Sequence, residues 1–203
     1  MRKLVYIQAV PERKALWEPL HRRLVGSGLF DSVAVSCDEQ HKGPAANFRR
    51  ILTDAEDLHG DVLVLQDDVI LHRQFFEHIP AMFNHLGVCQ FISLFVPPRK
   101  LFRDLQPDTN FVRNPDHLWQ PAVMFTSSIC RRLRMFKTAE AKHDDVLVNQ
   151  FLRSERLAAW VCIPSLVKHN TFVRSAVGNP GRERQTESWW PEIPAGRFEA
   201  IRA

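Results

Sequence analysis

No apolar run in this chain approaches the roughly 20 residues that a membrane-crossing helix needs. A transmembrane anchor is therefore not expected, and neither is a secretory leader. The opening MRKLVYIQAV carries charge and a short apolar run, but Gln8 interrupts it and no small-residue cleavage site follows. Cysteine is scarce, and Cys37, Cys89, Cys130 and Cys162 form no CxxC pair. Isolated cysteines of this kind read as reduced core thiols of a cytoplasmic protein. Long-period repeats and low-complexity segments are missing. Neither sign of charge dominates, with a formal net charge of +4 and a sequence pI of about 9.1. That mild excess permits an acidic partner, nucleic acid or a small phosphorylated substrate, without demanding one.

What is present suits one domain with a full core: 203 residues, 45% hydrophobic and 25% charged. Strand-like and helix-like pieces alternate. KLVYIQAV reads as a first strand. Residues 12–25 read as a helix, with Leu16, Leu20 and Leu24 at helical spacing and Gly26 and Gly28 at its end. Residues 30–36 read as the second strand. The polar loop CDEQHKGP leads into a helix over residues 45–58, and Gly60 breaks the chain before VLVLQ. A helix near residues 73–86, a strand VCQFISLF and an irregular basic segment to residue 117 come next. WQPAVMFTSS reads as a strand, ICRRLRMFK and HDDVLVNQFLRSERL as helices, and AAWVCIPSLV as the last strand. Residues 170–203, rich in Pro, Gly, Arg and Trp, look loop-like. Three early strand–helix alternations predict βαβ units, hence an α/β fold with a mostly parallel central sheet and helices on both faces. Ligands of such sheets bind at the carboxyl ends of the strands. Here those ends carry residues 8–13, 36–38 and 66–68.

The stretch DVLVLQDDVILH places Asp67 and Asp68 side by side where an apolar strand ends. Two adjacent carboxylates need a positive charge nearby to stay ionised. A divalent ion such as Mg²⁺ or Mn²⁺, which prefers oxygen ligands, would supply it. A solvated turn, with an Asp capping a backbone amide, is the plain alternative. A second acidic pair, Asp144 and Asp145, opens the helix of HDDVLVNQF. Leu147, Val148, Phe151 and Leu152 mark its buried stripe. At about 100° per residue, Asp144 falls on that face and Asp145 at its edge. Capping and the helix dipole also favour acids there, so a cleft role and a helix-start role both fit.

VLVLQDDVIL resembles the acidic motif of GT-A-fold glycosyltransferases, nucleotide-sugar-dependent enzymes with one Rossmann-like domain. The motif is often written DxD, and its first position here is Gln66. IQAVPER resembles the family's first strand and donor loop. SCDEQHKGPAANF resembles the end of the second strand and the next helix. HDDVLVNQF resembles the second acidic motif, and IPSLVKHN a strand ending in a histidine. The motifs are short, and their shared order over residues 4–180 carries the resemblance.

The resemblance implies a single Rossmann-like GT-A domain over residues 1–169. Residues 170–203 would then close over the diphosphate through Arg174, Ser175, Arg182 and Arg184, or be anchored by Trp189 and Trp190. It implies Asp68 and His169 as ligands of Mn²⁺ or Mg²⁺. Donor contacts fall on Pro11, Arg13, Asp38, Asn47, Gln66 and Asp67. Pro11 would set the turn, Arg13 meet phosphate, Asp38 accept hydrogen bonds from the base, and Asp67 face the ribose or sugar. Arg13 also reads as a solvated helix residue, and Asn47 as a helix-start residue. In inverting members the second acid of the second motif is the general base for the acceptor hydroxyl. That role falls on Asp145, with Asp144 as orienter or substitute.

The expected reaction is metal-dependent transfer from a nucleotide-sugar, a UDP-sugar first, to a hydroxyl. Compact soluble chains of this kind resemble phage-encoded members, some of which modify hydroxymethylated DNA bases. DNA would then be the acceptor and the host cytoplasm the setting. Two basic runs fit DNA: Arg99, Lys100 and Arg103, and Arg131, Arg132, Arg134 and Lys137. Phe102, Phe111 and Trp119 could stack on bases, although solvated surface and core aromatics explain both features equally well. A cell-surface saccharide is the alternative acceptor. A nucleotidyltransferase shares such a sheet but usually has a glycine-rich phosphate loop after the first strand, and VPERK has no glycine.

Overall fold

A computed structural model describes residues 1–95, 111–114, 120–138 and 141–170, together with Ile193 and Phe198. Strand β1 (Arg2–Ala9) and strand β3 (Gly60–Gln66) bury nearly all their side chains, as strands covered on both faces must. Between them lie a 3-10 turn (Pro11–Arg13), α1 (Lys14–Gly26), β2 (Ser32–Cys37) and α2 (Pro44–Leu58). Then come β4 (Val69–Leu71), α3 (Phe75–Cys89), β5 (Phe91–Ser93), β6 (Phe111–Asn114), β7 (Ala122–Phe125), α4 (Ser127–Met135), α5 (Asp144–Ser154), β8 (Ala159–Cys162) and β9 (Val167–His169).

Seven strands form one sheet in the order β2-β1-β3-β7-β5-β8-β6. β1 runs parallel to β2 and β3, and β5 parallel to β8. β7 is antiparallel to both β3 and β5, and β6 antiparallel to β8. The sheet is therefore mostly parallel, with β6 and β7 reversed. β4 and β9 pair separately as a short antiparallel ribbon that sets Val69 opposite His169.

Alternate strand residues feed two cores. Val5, Ile7, Leu63, Leu65 and Met124 pack with α1 and α3 on one face. Leu4, Tyr6, Val62, Val64 and Phe125 pack with α2, α4 and α5 on the other. The α/β sheet with helices on both faces is the architecture the alternation predicts. No helix among the described residues is long and apolar enough to cross a membrane.

Several boundaries differ from the sequence expectation. Pro11 starts a 3-10 turn, so α1 begins only at Lys14. α3 runs on to Cys89 and takes the start of the segment expected to be a strand. The expected last strand is two, β8 and β9, because Pro164 has no N–H to give a ladder. β6 arises in the segment read as irregular. Two glycines position the frame. Gly43, at φ 94°, leads into Pro44 at the start of α2. Gly60 sits so close to β1 that a Cβ would lie 2.6 Å from Leu4 Cγ and 2.9 Å from the Arg2 carbonyl oxygen.

Candidate active site

β3 ends at Gln66, and the chain turns through Asp67 and Asp68 into β4. The Asp67 N–H donates to the Gln8 carbonyl at 3.1 Å, which ties this turn to the end of β1. Asp67 Oδ2 accepts the Val10 N–H at 3.1 Å, and Oδ1 accepts Arg13 Nη1 at 2.8 Å. The same Nη1 reaches Asp68 Oδ2 at 3.2 Å. The charge between the two acids is thus the Arg13 guanidinium, presented by the 3-10 turn, rather than an arginine turned toward solvent. Side-chain exposure is 6% for Asp67 and 12% for Asp68 and Arg13. Burial pushes the Asp67 carboxyl above its usual range, while Arg13 and the Val10 N–H oppose the shift.

The β4–β9 ribbon brings a distant residue to the same place. Asn170 donates its N–H to the Asp68 carbonyl at 2.7 Å. His169 Nδ1 lies 3.4 Å from Asp68 Oδ1, and the Phe95 ring packs against the imidazole with centroids 5.4 Å apart. A buried carboxylate oxygen beside an imidazole nitrogen is a donor set suited to Mn²⁺. Among the described residues no three His, Cys, Asp or Glu side chains group to hold a metal. Two protein donors would leave most of a small divalent ion's positions to other oxygen ligands.

The second acidic pair adjoins the first through Gln66. Asp144 is buried on the inner face of α5, and its carboxylate receives hydrogen bonds from the Gln66 side chain and from the Asp145 N–H, the latter at 3.0 Å. Burial first, then the neighbouring Asp145 charge, push its pKa up to about 6. Asp145 is half-buried at the helix start, where its Oδ1 accepts the Val146 N–H at 2.8 Å.

Asp38 and Asn47 meet the end of β1 from the other side. Asp38 Oδ1 and Oδ2 accept the N–H groups of Lys42 and Gly43 at 3.0 and 2.7 Å, closing the loop before α2. Asn47 donates to the carbonyls of Ser36 and Ala9 at 2.8 and 3.3 Å and accepts from Ser36 Oγ at 2.6 Å and Arg50 at 3.1 Å. Both side chains therefore brace the loop and the strand ends. Pro11 is exposed at the head of its turn. The structure joins Arg13, Asp67, Asp68 and His169 in one cluster and Gln66 with Asp144 beside it. Asp38 and Asn47 stand apart, joined to the cluster through the end of β1.

The basic run on α4 is largely paired. Arg131 lies 3.5 Å from Glu56, Arg134 also pairs with Glu56, and Arg132 pairs with Glu155. Phe111, a candidate stacking ring, is partly buried and packs edge-on against His85 and Phe198 at the border of the core. Arg99, Lys100, Arg103, Phe102 and Trp119 lie outside the described residues, as do Arg174, Ser175, Arg182, Arg184, Trp189 and Trp190.

Two buried amides have no counterpart in the motif reading. Gln8 donates Nε2 to the Pro44 carbonyl at 2.9 Å, but its Oε1 has no hydrogen-bond partner among the described residues. Gln120, 5% exposed, has none for either Nε2 or Oε1. An orphaned buried polar group costs about 1–3 kcal/mol, so such a side chain calls for a reason. A glutamine before proline in WQPAVMF carries no recognisable pattern, and only the strand order places it at the site.

Comparison with protein-family models and with curated protein sequences finds no match. Solved structures do match. Protein A197 from STIV is 15% identical, with a TM-score of 0.55 over 83% of this chain and 84% of that one. A Drosophila beta-1,4-galactosyltransferase 7, crystallised with manganese, UDP-Gal and xylobiose, is 8% identical, with a TM-score of 0.50 over 83% of this chain and 71% of that one. The fold is GT-A. At these identities the likeness speaks for the fold alone. In a GT-A sheet, as in other open α/β sheets, the carboxyl edge is the ligand-binding edge, and both acidic clusters lie on it.

Proposed function

We propose that this chain is a metal-dependent glycosyltransferase that moves a sugar from a nucleotide-sugar, UDP-linked first, to a hydroxyl, with inversion. The observation that carries the reading is the convergence of Arg13, Asp67, Asp68, His169 and the Gln66–Asp144 pair on the carboxyl edge of a GT-A sheet. Asp68 and His169 would hold the divalent cation, which when bound offsets charge on the departing diphosphate. Arg13 bridges Asp67 and Asp68 and offsets their charge, and Asp67 faces the donor. The loop closed by Asp38 and the strut made by Asn47 frame the nucleoside, with Pro11 fixing the opposite turn. Asp145, half-buried at the start of α5, takes the proton of the acceptor hydroxyl as its oxygen attacks the anomeric carbon. Asp144 holds the helix start in place through Gln66.

The acceptor is a hydroxyl on hydroxymethylated DNA or on a saccharide. Pairing of the α4 arginines with Glu56 and Glu155 leaves that helix less charge to offer DNA phosphates.

The test is turnover of a panel of nucleotide-sugars with and without Mn²⁺, with hydroxymethylated DNA and oligosaccharides as acceptors. Diphosphate-nucleotide release that requires Mn²⁺ is expected with at least one donor. Asp68→Asn should reduce it about 100-fold or more. Full metal-dependent turnover in that variant would remove Asp68 from the metal site. No turnover with any donor would remove the glycosyltransferase reading itself.

A further inference from the structure

We infer that Gln120 is a specificity-determining residue that binds hydroxyls of the transferred sugar. This deepens the proposed glycosyltransferase reading and rests on it. β7 is the reversed strand between β3 and β5, so its beginning lies at the edge where its neighbours end. The Pro121 carbonyl accepts the Gln66 N–H at 2.8 Å, and the Ala122 carbonyl accepts the Leu94 N–H at 3.0 Å. Gln120, one residue upstream, is therefore set between two strand ends that carry the candidate chemistry. On one side is Gln66, bonded to Asp144 and followed by Asp67 and Asp68. On the other is Phe95, packed on His169.

The side chain placed there is buried and has neither donor nor acceptor matched among the described residues. It is a neutral side chain at an edge that also carries acids and a guanidinium. A primary amide donates two hydrogen bonds and accepts two. Neighbouring hydroxyls of a sugar ring also donate and accept, so one amide can bridge two of them. A neutral group adds no charge beside the diphosphate, and its paired donor and acceptor match those of a sugar ring. A site built to hydrogen-bond a hydroxyl discriminates strongly against a ligand lacking it, because the site's own polar group is then left unmatched.

The experiment is calorimetric titration of the full chain, in Mn²⁺, with UDP, UDP-glucose, UDP-galactose and their single-deoxy analogues. The wild-type chain should bind at least one UDP-sugar more tightly than UDP and lose about tenfold with one deoxy analogue. Gln120→Met, close in shape but apolar, should lose about tenfold for that sugar and cease to discriminate the deoxy analogue. Its affinity for UDP should be unchanged and its thermal midpoint equal or higher. Equal sugar binding by Gln120→Met, or parallel losses for UDP and UDP-sugar, would overturn the inference. Should that variant not fold, the wild-type deoxy series still decides, because indifference to every missing hydroxyl also overturns it. Failure of the wild-type chain to bind UDP or any UDP-sugar would instead remove the UDP-linked donor from the reading beneath it.

Discussion

Arg13 stands where the sequence calls for a cation. One Nη1 within 3.2 Å of both acids relieves their repulsion without an ion. Arg13→Leu should therefore cost about 3 kcal/mol at pH 7, since removing one partner of a buried pair strands the other's charge. The loss should shrink toward pH 4. Burial already raises the Asp67 pKa, so the folded chain takes up a proton more readily than the unfolded one. Stability then falls as pH rises from the unfolded pKa through the raised folded one. Urea titrations at the two pH values check this, and an equal loss at both would refute it. Asp144 obeys the same sign. Its pKa rises from 3.8 to about 6, so its stabilising contribution is complete below 3.8 and gone above 6. A shift of that size is worth about 3 kcal/mol. Asp144→Asn should stabilise the chain by up to that amount at pH 8 and hardly at all at pH 3.5, as measured by denaturation at each pH. Gln66 also gains an explanation. The resemblance leads one to expect an acid there, but a carboxylate beside buried Asp144 would repel it, whereas an amide donates to it. The acids were legible as motifs. Their partners were not, because Arg13 and Asp67 are 54 positions apart and no local pattern joins them.

At the scale of elements, legibility followed length and locality. β1, α2 and β3 announce themselves through long apolar runs or a helical stripe, each decided by neighbours in sequence. β4, β6 and β9 are only three or four residues long and exist because a distant partner pairs with them. β4 needs β9, nearly a hundred residues later, and that ribbon is what carries His169 to Asp68. The resemblance could name the histidine, but the periodicity could not. The centre of the sheet is more demanding than the sequence shows. Gly60 reads as a simple breaker, yet it permits close approach of β3 to β1 at the Arg2 carbonyl. Gly60→Ala should lower stability by about 1–3 kcal/mol, because a backbone oxygen at 2.9 Å cannot rotate away. A thermal scan is the check, and an unchanged midpoint would show that β1 yields without cost.

For the molecule as a whole, two residues of the segment expected to be a loop-rich tail, Ile193 and Phe198, are described. Ile193 and Phe198 are each 1% exposed and belong to the core shared with α1 and α3. Gln74 clasps Ile193 with two hydrogen bonds, donating to its carbonyl at 2.9 Å and accepting from its N–H at 2.8 Å. Phe198 packs edge-on against His78 and Phe111, and its carbonyl bonds to His85. These two residues add to the core on one face of the sheet. Composition hid this, since two apolar residues scattered among Pro, Gly, Arg and Trp make no periodic stripe. Phe198→Ala should therefore cost about 3–5 kcal/mol of stability, the range for removing a fully buried ring. Nucleotide binding, measured well below the variant's midpoint, should stay close to that of the wild-type chain, because Phe198 packs beside α3 and away from the acids. A variant that keeps its stability but loses affinity for UDP would show the opposite: that this part of the chain serves the donor rather than the core.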